Sequence, residues 1–174
     1  MEKAVIETSA GFMGLCWTGA GISVLTLPAP TAYDAEREIA AEVEGLVKKH
    51  KNSLEAAGGT IDLSGAEKEL KDYFSGKRVG LSFPVDWSHY TEFQKKVLQR
   101  VYSLPWGQVA SYGQIAADIG NPRGARAVGG AVGSNRVLLV VPCHRVIGHG
   151  GSLGGFGSGL EWKKRLLNIE GIRF

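Results

Sequence analysis

Ser111-Tyr112-Gly113-Gln114-Ile115-Ala116-Ala117-Asp118-Ile119-Gly120-Asn121-Pro122-Arg123-Gly124-Ala125-Arg126-Ala127-Val128-Gly129-Gly130-Ala131-Val132-Gly133-Ser134 is the stretch on which the reading of this chain turns. Ser111 and Gln114 have the spacing of a capping box, which opens a helix running through Ile119. Gly120-Asn121-Pro122 then forces a turn, and a further helix covers about Gly124 to Ser134. Two short helices joined by such a turn read as a helix-turn-helix, although a plain helical hairpin has the same outline. The faces of the second helix separate the two. Ala125, Val128, Ala131 and Val132 share its apolar side. The opposite side carries Arg126, Ala127, Gly130, Gly133 and Ser134, and each glycine costs ~1 kcal/mol relative to alanine inside a helix. A face stripped to one guanidinium suits close approach to another backbone. Inside the protein that guanidinium would need a buried partner, so an external anionic surface is the better fit.

Upstream, Thr91 and Gln94 repeat the capping-box spacing and open a helix over Thr91–Ser103. Downstream, Val137-Leu138-Leu139-Val140-Val141 reads as a strand that ends at Pro142. Cys143-His144-Arg145-Val146 follows at once. A cysteine beside a histidine and an arginine has the surroundings that lower a thiol pKa. In extended chain, neighbouring side chains point to opposite faces, so His144 reaches Cys143 through a water or a bend. A base of this kind needs an orienting carboxylate. After residue 91 the acids are only Glu92, Asp118, Glu161 and Glu170. Glu170 closes a last helix over Gly159–Ile169, with Leu160, Lys164 and Leu167 in register. A carboxylate there opposes the helix dipole by ~0.3–1 kcal/mol, which points to a compensating partner such as His144. On this chemistry alone, a nucleophile and a structural or metal-linked cysteine both remain open.

Before residue 87 the character differs. Residues 4–8, 12–17 and 22–27 read as short strands with glycine-containing turns. Asp34 to about Lys51 is an amphipathic helix with Ile39, Val43, Leu46 and Val47 on one face. Ala66–Phe74 is a second helix and Val79–Phe83 a further strand. A small α/β domain with a mainly antiparallel sheet over 1–86, then a mainly helical domain over 87–174, gives an α+β chain. Residues 1–91 hold 9 Lys+Arg against 13 Asp+Glu, and residues 92–174 hold 11 against 4. A basic half fused to an acidic one points to a polyanion, most often nucleic acid.

The 174 residues have no apolar run long enough for a membrane span and no secretory pattern at Met1–Val5. Cys16 and Cys143 are too few for a disulfide framework, so a reducing, cytoplasmic protein is expected. Cys16, in an apolar strand, reads as a buried structural thiol. Cys16, His50, His89 and His149 are scattered, and neither a metal nor another cofactor is expected.

Pro142-Cys143-His144-Arg145-Val146 resembles the active-site signature of the O6-alkylguanine-DNA alkyltransferases, also called methylated-DNA–protein-cysteine methyltransferases. The likeness runs over about residues 91–171. It takes in Thr91-Glu92-Phe93-Gln94, Ser111-Tyr112-Gly113-Gln114-Ile115-Ala116, Asn121-Pro122, Arg126-Ala127-Val128-Gly129-Gly130-Ala131, Asn135, Gly154-Gly155-Phe156, Gly159-Leu160, Lys163, Leu166-Leu167 and Glu170-Gly171. It implies a ribonuclease-H-like first domain and a winged-helix-like second one, acting as a monomer on double-stranded DNA through the minor groove.

Cys143 would then take an alkyl group irreversibly from O6-alkylguanine, and from O4-alkylthymine, once per molecule. His144 would accept the thiol proton through water, and Glu170 would orient His144. Tyr112 would contact a phosphate and donate toward guanine N3. Asn135 would join the recognition helix to the active-site segment. Arg126 would enter the base stack, with Arg123, Ala125, Ala127, Gly129, Gly130 and Ser134 along the DNA. The flipped base would lie against Phe156 and Val146, with Gly157 near O6 and Arg145 and Leu138 completing the pocket. The family often has tyrosine where Phe156 stands and serine or alanine where Gly157 stands, which leaves alkyl-size preference open.

Three other readings use the same residues. A lesion-binding relative without transfer activity replaces the nucleophile, which is present here. A plain regulator would need polar side chains on its recognition helix. A cysteine hydrolase using Cys143, His144 and Glu170 would regenerate its thiol.

Overall fold

The computed structural model describes residues 1–49 and 61–174. The chain divides into two units, Met1–His89 with Arg136–Val140, and Tyr90–Asn135 with Val141–Phe174.

In the first unit, β1 (Glu2–Thr8), β2 (Gly11–Thr18) and β3 (Gly21–Leu25) form an antiparallel meander in that order. Next come α1 (Ala32–Lys49) and α2 (Leu63–Phe74). The end of the helix expected to about Lys51 lies outside the described residues. Ile39, Val43 and Leu46 of α1 pack with Cys16 and Val24 of the sheet, all buried. Val47, expected on the same face, is 40% exposed. Cys16 is thus a core residue.

Two expected strands are absent from the described ladders. Val79–Phe83 has no strand pairing: Leu81 adopts φ 46°, and its N–H goes to Glu69 Oε2 at 2.9 Å. Pairing starts only where Ile22 donates to Pro84 O at 2.8 Å and Asp86 to Ile22 O at 2.9 Å. Val137–Val141 also fails as a strand. Val137 makes one parallel bridge to Leu25, then Leu139 turns at φ 67° and Val140 donates back to Leu138 O at 2.8 Å. An apolar run reads alike whether it is buried as a ladder or as a turn.

The second unit contains α3 (Glu92–Tyr102), β4 (Ala110–Ser111), α4 (Tyr112–Asp118), α5 (Ala125–Gly133), β5 (Val146–Ile147) and α6 (Leu160–Ile169). Both expected capping boxes form, at Thr91 with Gln94 and at Ser111 with Gln114. α3, α4 and α5 pack on one another through buried Val97, Leu98, Val101, Ile115, Ala116, Val128, Ala131 and Val132. β4 and β5 pair in parallel, Ala110 with Val146 and Ser111 with Ile147. That short pair joins the start of α4 to the chain leaving Cys143. On α6 the buried face is Lys163, Leu166, Leu167 and Glu170. Of the expected register only Leu167 is buried, because Leu160 is 44% exposed and Lys164 half-buried.

Candidate active site and nucleic-acid interface

Cys143, His144 and Arg145 form a 3₁₀ turn rather than extended chain. The turn closes through Cys143 N–H to Val141 O at 2.8 Å and Arg145 N–H to Pro142 O at 2.9 Å. Successive side chains of such a turn fan out at ~120° instead of alternating. The sulfur of Cys143, 6% exposed, accepts from Asn135 Nδ2 at 3.1 Å, and the same amide reaches Val141 O at 2.8 Å. Burial pushes the thiol pKa up, while the Asn135 amide and the Lys163 charge pull the other way without cancelling it.

His144 is buried with Nε2 2.8 Å from Glu170 Oε1. An ionised carboxylate only accepts, so Nε2 carries a proton, and in the neutral ring Nδ1 then holds the lone pair. Among the described residues, Nδ1 is buried without a hydrogen-bond partner. Burial holds His144 below the ordinary imidazole range, although Glu170 pulls it upward. For Glu170, burial alone would raise the pKa, but the hydrogen bonds from His144 and Arg145 prevail and hold it near 2. The sequence-based pairing of His144 with Glu170 therefore has direct geometry.

Arg145, expected to help complete the pocket, is buried. Its Nε and Nη2 meet Glu170 Oε2 and Oε1 at 2.8 and 2.9 Å, and Nη1 donates to Leu104 O. Leu138 belongs to the first unit, where its N–H donates to Leu25 O at 3.0 Å. Val146 is buried on β5, Phe156 is half-buried and Gly157 exposed.

Tyr112 opens α4, and its hydroxyl lies 3.4 Å from Gly155 O. Burial raises its pKa. A Cβ placed on Gly129 of α5 would meet this ring at 3.8 Å, and one on Gly154 would meet it at 3.0 Å. Gly154 also has φ 67°, so a side chain there would be strained as well as crowded. Along α5 the exposed residues are Arg126, Ala127, Gly130 and Gly133, with Arg123 exposed in the preceding turn. Ala125, Gly129 and Ser134 are half-buried.

A family model for the 6-O-methylguanine DNA methyltransferase, DNA binding domain, matches residues 92–172. The crystal structure of Mycobacterium tuberculosis OGT in complex with DNA is 32% identical, covering 95% of this chain and 90% of that one, with a TM-score of 0.71. The chain belongs to the O6-methylguanine-DNA methyltransferase family. The Pyrococcus kodakaraensis O6-methylguanine-DNA methyltransferase superimposes with a TM-score of 0.72 at 29% identity, over 98% of each chain. The inducible methylated-DNA–protein-cysteine methyltransferase of Bacillus subtilis is 47% identical over 102 residues. That match spans 59% of this chain and 56% of the relative. The α+β architecture expected from sequence agrees with these methyltransferase structures.

Lys163 is a residue to which sequence reasoning gave no role. It is fully buried, and its ammonium donates to Val146 O and Leu153 O at 2.5 Å and to Gly155 O at 3.2 Å. Burial lowers its pKa to about 8, with the Cys143 charge opposing. The signal was available: Lys163 lies three, four and seven residues before Leu166, Leu167 and Glu170, so a cation interrupts an apolar stripe. Among the described residues, no three His, Cys, Asp or Glu side chains could hold a metal ion. No helix there is long and apolar enough to cross a membrane.

Proposed function

We propose that this chain is a DNA repair alkyltransferase that moves one alkyl group from guanine O6, or thymine O4, in duplex DNA to its own Cys143. The observation that carries the reading is the buried thiol held by Asn135 at 3.1 Å, next in the chain to an imidazole whose Nε2 is engaged by Glu170 and whose Nδ1 has no partner among the described residues. In the transfer, the bond from sulfur to the alkyl carbon forms as the bond from that carbon to O6 breaks. The thiol proton passes through water to His144 Nδ1. The electron pair of the broken bond leaves on guanine, which takes up a proton at its ring nitrogen from the Tyr112 hydroxyl, and the proton held by His144 returns to the Tyr112 oxygen through solvent. Glu170 stabilises the imidazolium while it lasts.

A base inside a duplex cannot reach a buried thiol, so the nucleotide must be extruded. Arg126 fills the gap in the stack, and the exposed Gly130 and Gly133 let α5 lie in the minor groove. Gly124 precedes α5 without a side-chain cap, and the exposed Arg123 comes just before it in the chain, an order of residues suited to phosphate. Phe156, Val146 and Gly157 contact the flipped base. The protein works as a monomer with DNA, in the cytoplasm or nucleoid. A thioether is a poor leaving group, so the reaction ends after one turnover.

Intact-protein and peptide mass spectrometry after mixing with an O6-methylguanine oligonucleotide tests the proposal. One methyl group is expected, on the peptide holding Cys143. Repeated turnover under excess substrate, or a methyl group elsewhere, would overturn it.

A further inference from the structure

The Arg145 guanidinium forms a planar two-point fork on Glu170, Nε to Oε2 at 2.8 Å and Nη2 to Oε1 at 2.9 Å. A fork of this kind sets the plane of the carboxylate as well as its place. Oε1 also meets His144 Nε2 at 2.8 Å, and Oε2 accepts from Gly107 N at 3.3 Å. Nη1 ties the assembly to Leu104 O just beyond α3. Arg145 and Glu170 are both buried.

We propose that Arg145 is a positioning residue for the reaction's base: it aims Glu170 Oε1 at the imidazole and keeps His144 uncharged until the thiol proton arrives. The inference rests on the alkyl-transfer reading above. Its physical ground is the count of charges around the ring. Glu170 and Arg145 touch one another, Lys163 acts on the ring from α6, and Cys143 is its neighbour in the turn. From α3 the inward residues are Val97, Leu98 and Val101, while Glu92, Lys95, Lys96 and Arg100 are not buried. On α6, Glu161, Lys164 and Arg165 are not buried either. Arg145 already occupies the carboxylate through its fork, and Arg145 and the buried Lys163 both disfavour a proton on the ring, so a further positive charge on His144 is unfavourable before reaction. Removing Arg145 leaves Glu170 with a deficit that an imidazolium would fill. The base would then be occupied before the substrate arrives.

Nitrogen NMR of histidine-labelled protein, together with the pH dependence of transfer from an O6-methylguanine oligonucleotide, tests this. In the wild type at pH 7, His144 should be neutral with Nδ1 unprotonated. In Arg145→Gln the imidazolium should persist to higher pH, and the rising limb of rate against pH should move up by about one unit or more. Arg145→Lys keeps the charge and loses the fork, so its limb should stay in place while its plateau falls several-fold. An imidazolium in the wild type at pH 7, or a folded Arg145→Gln protein with an unmoved limb, would overturn the proposal. Should Arg145→Gln not fold, a plateau and limb of wild-type value in Arg145→Lys would overturn it equally. A wild type that never gains a methyl group refutes the alkyl-transfer reading, and the NMR state of His144 still decides this one.

Discussion

Asn135 makes two hydrogen bonds with one amide nitrogen, to the Cys143 sulfur and to Val141 O, so it holds both the nucleophile and the chain that carries it. Asn135→Ala removes a donor that favours the thiolate. The expected result is a several-fold fall in the rate of iodoacetamide alkylation of Cys143 at pH 7, with the pH profile displaced upward. An unchanged profile would mean the amide acts on Val141 alone. At this scale the sequence was uneven. Glu170 was legible because a carboxylate in a helix's last turn opposes the dipole and asks for a partner. Arg145 was not, because adjacency to Cys143 says nothing of direction until the 3₁₀ turn rotates it onto Glu170.

At the scale of elements, α5 shows a helix whose composition serves something other than its own stability. Nothing lies within 4 Å of a Cβ built on Gly130. Gly130→Ala should therefore stabilise the protein by ~1 kcal/mol, the ordinary helix preference, as read by urea denaturation. If that face meets DNA, the same substitution should weaken duplex binding and leave reaction with free O6-benzylguanine unchanged. Equal affinity for duplex in both proteins would remove α5 from the interface. Helix starts were readable in this chain because Thr91/Gln94 and Ser111/Gln114 satisfy backbone donors locally. The stretches at 79–83 and 137–141 were misread because their fate depends on which distant backbone they meet. Leu81 finds Glu69 and Val137 finds Leu25, and neither partner is written in the local pattern.

Over the whole molecule, each unit contains a buried carboxylate held ionised. Asp86 accepts from Thr18 at 2.7 Å and Ser88 at 2.6 Å and faces His89 at 3.1 Å. Burial works against its charge, but those bonds keep it well below the usual carboxylate range. Glu170, near 2 instead of its ordinary 4.5, behaves alike. Both folded values lie below the unfolded ones, so the stabilisation is complete above about pH 5 and drains away as pH falls through 4 toward 2. Melting temperatures between pH 7 and 3 should drop steeply, and Asp86→Asn should flatten that dependence while lowering stability at pH 7. A slope identical to wild type would place the acid sensitivity elsewhere. The excursion of Arg136–Val140 into the first unit has a practical consequence for anyone dividing the gene. A fragment ending at residue 89 would leave Leu25 with an unpaired N–H and C=O, since Arg136 O and Leu138 N normally meet them at 2.9 and 3.0 Å. A fragment beginning at residue 90 would carry Val137, Leu139 and Val140, now buried, with no sheet to receive them. One piece offers an open strand edge and the other the apolar ribbon that fits it. Expressed separately, both should aggregate; mixed during refolding, they should rescue one another's solubility.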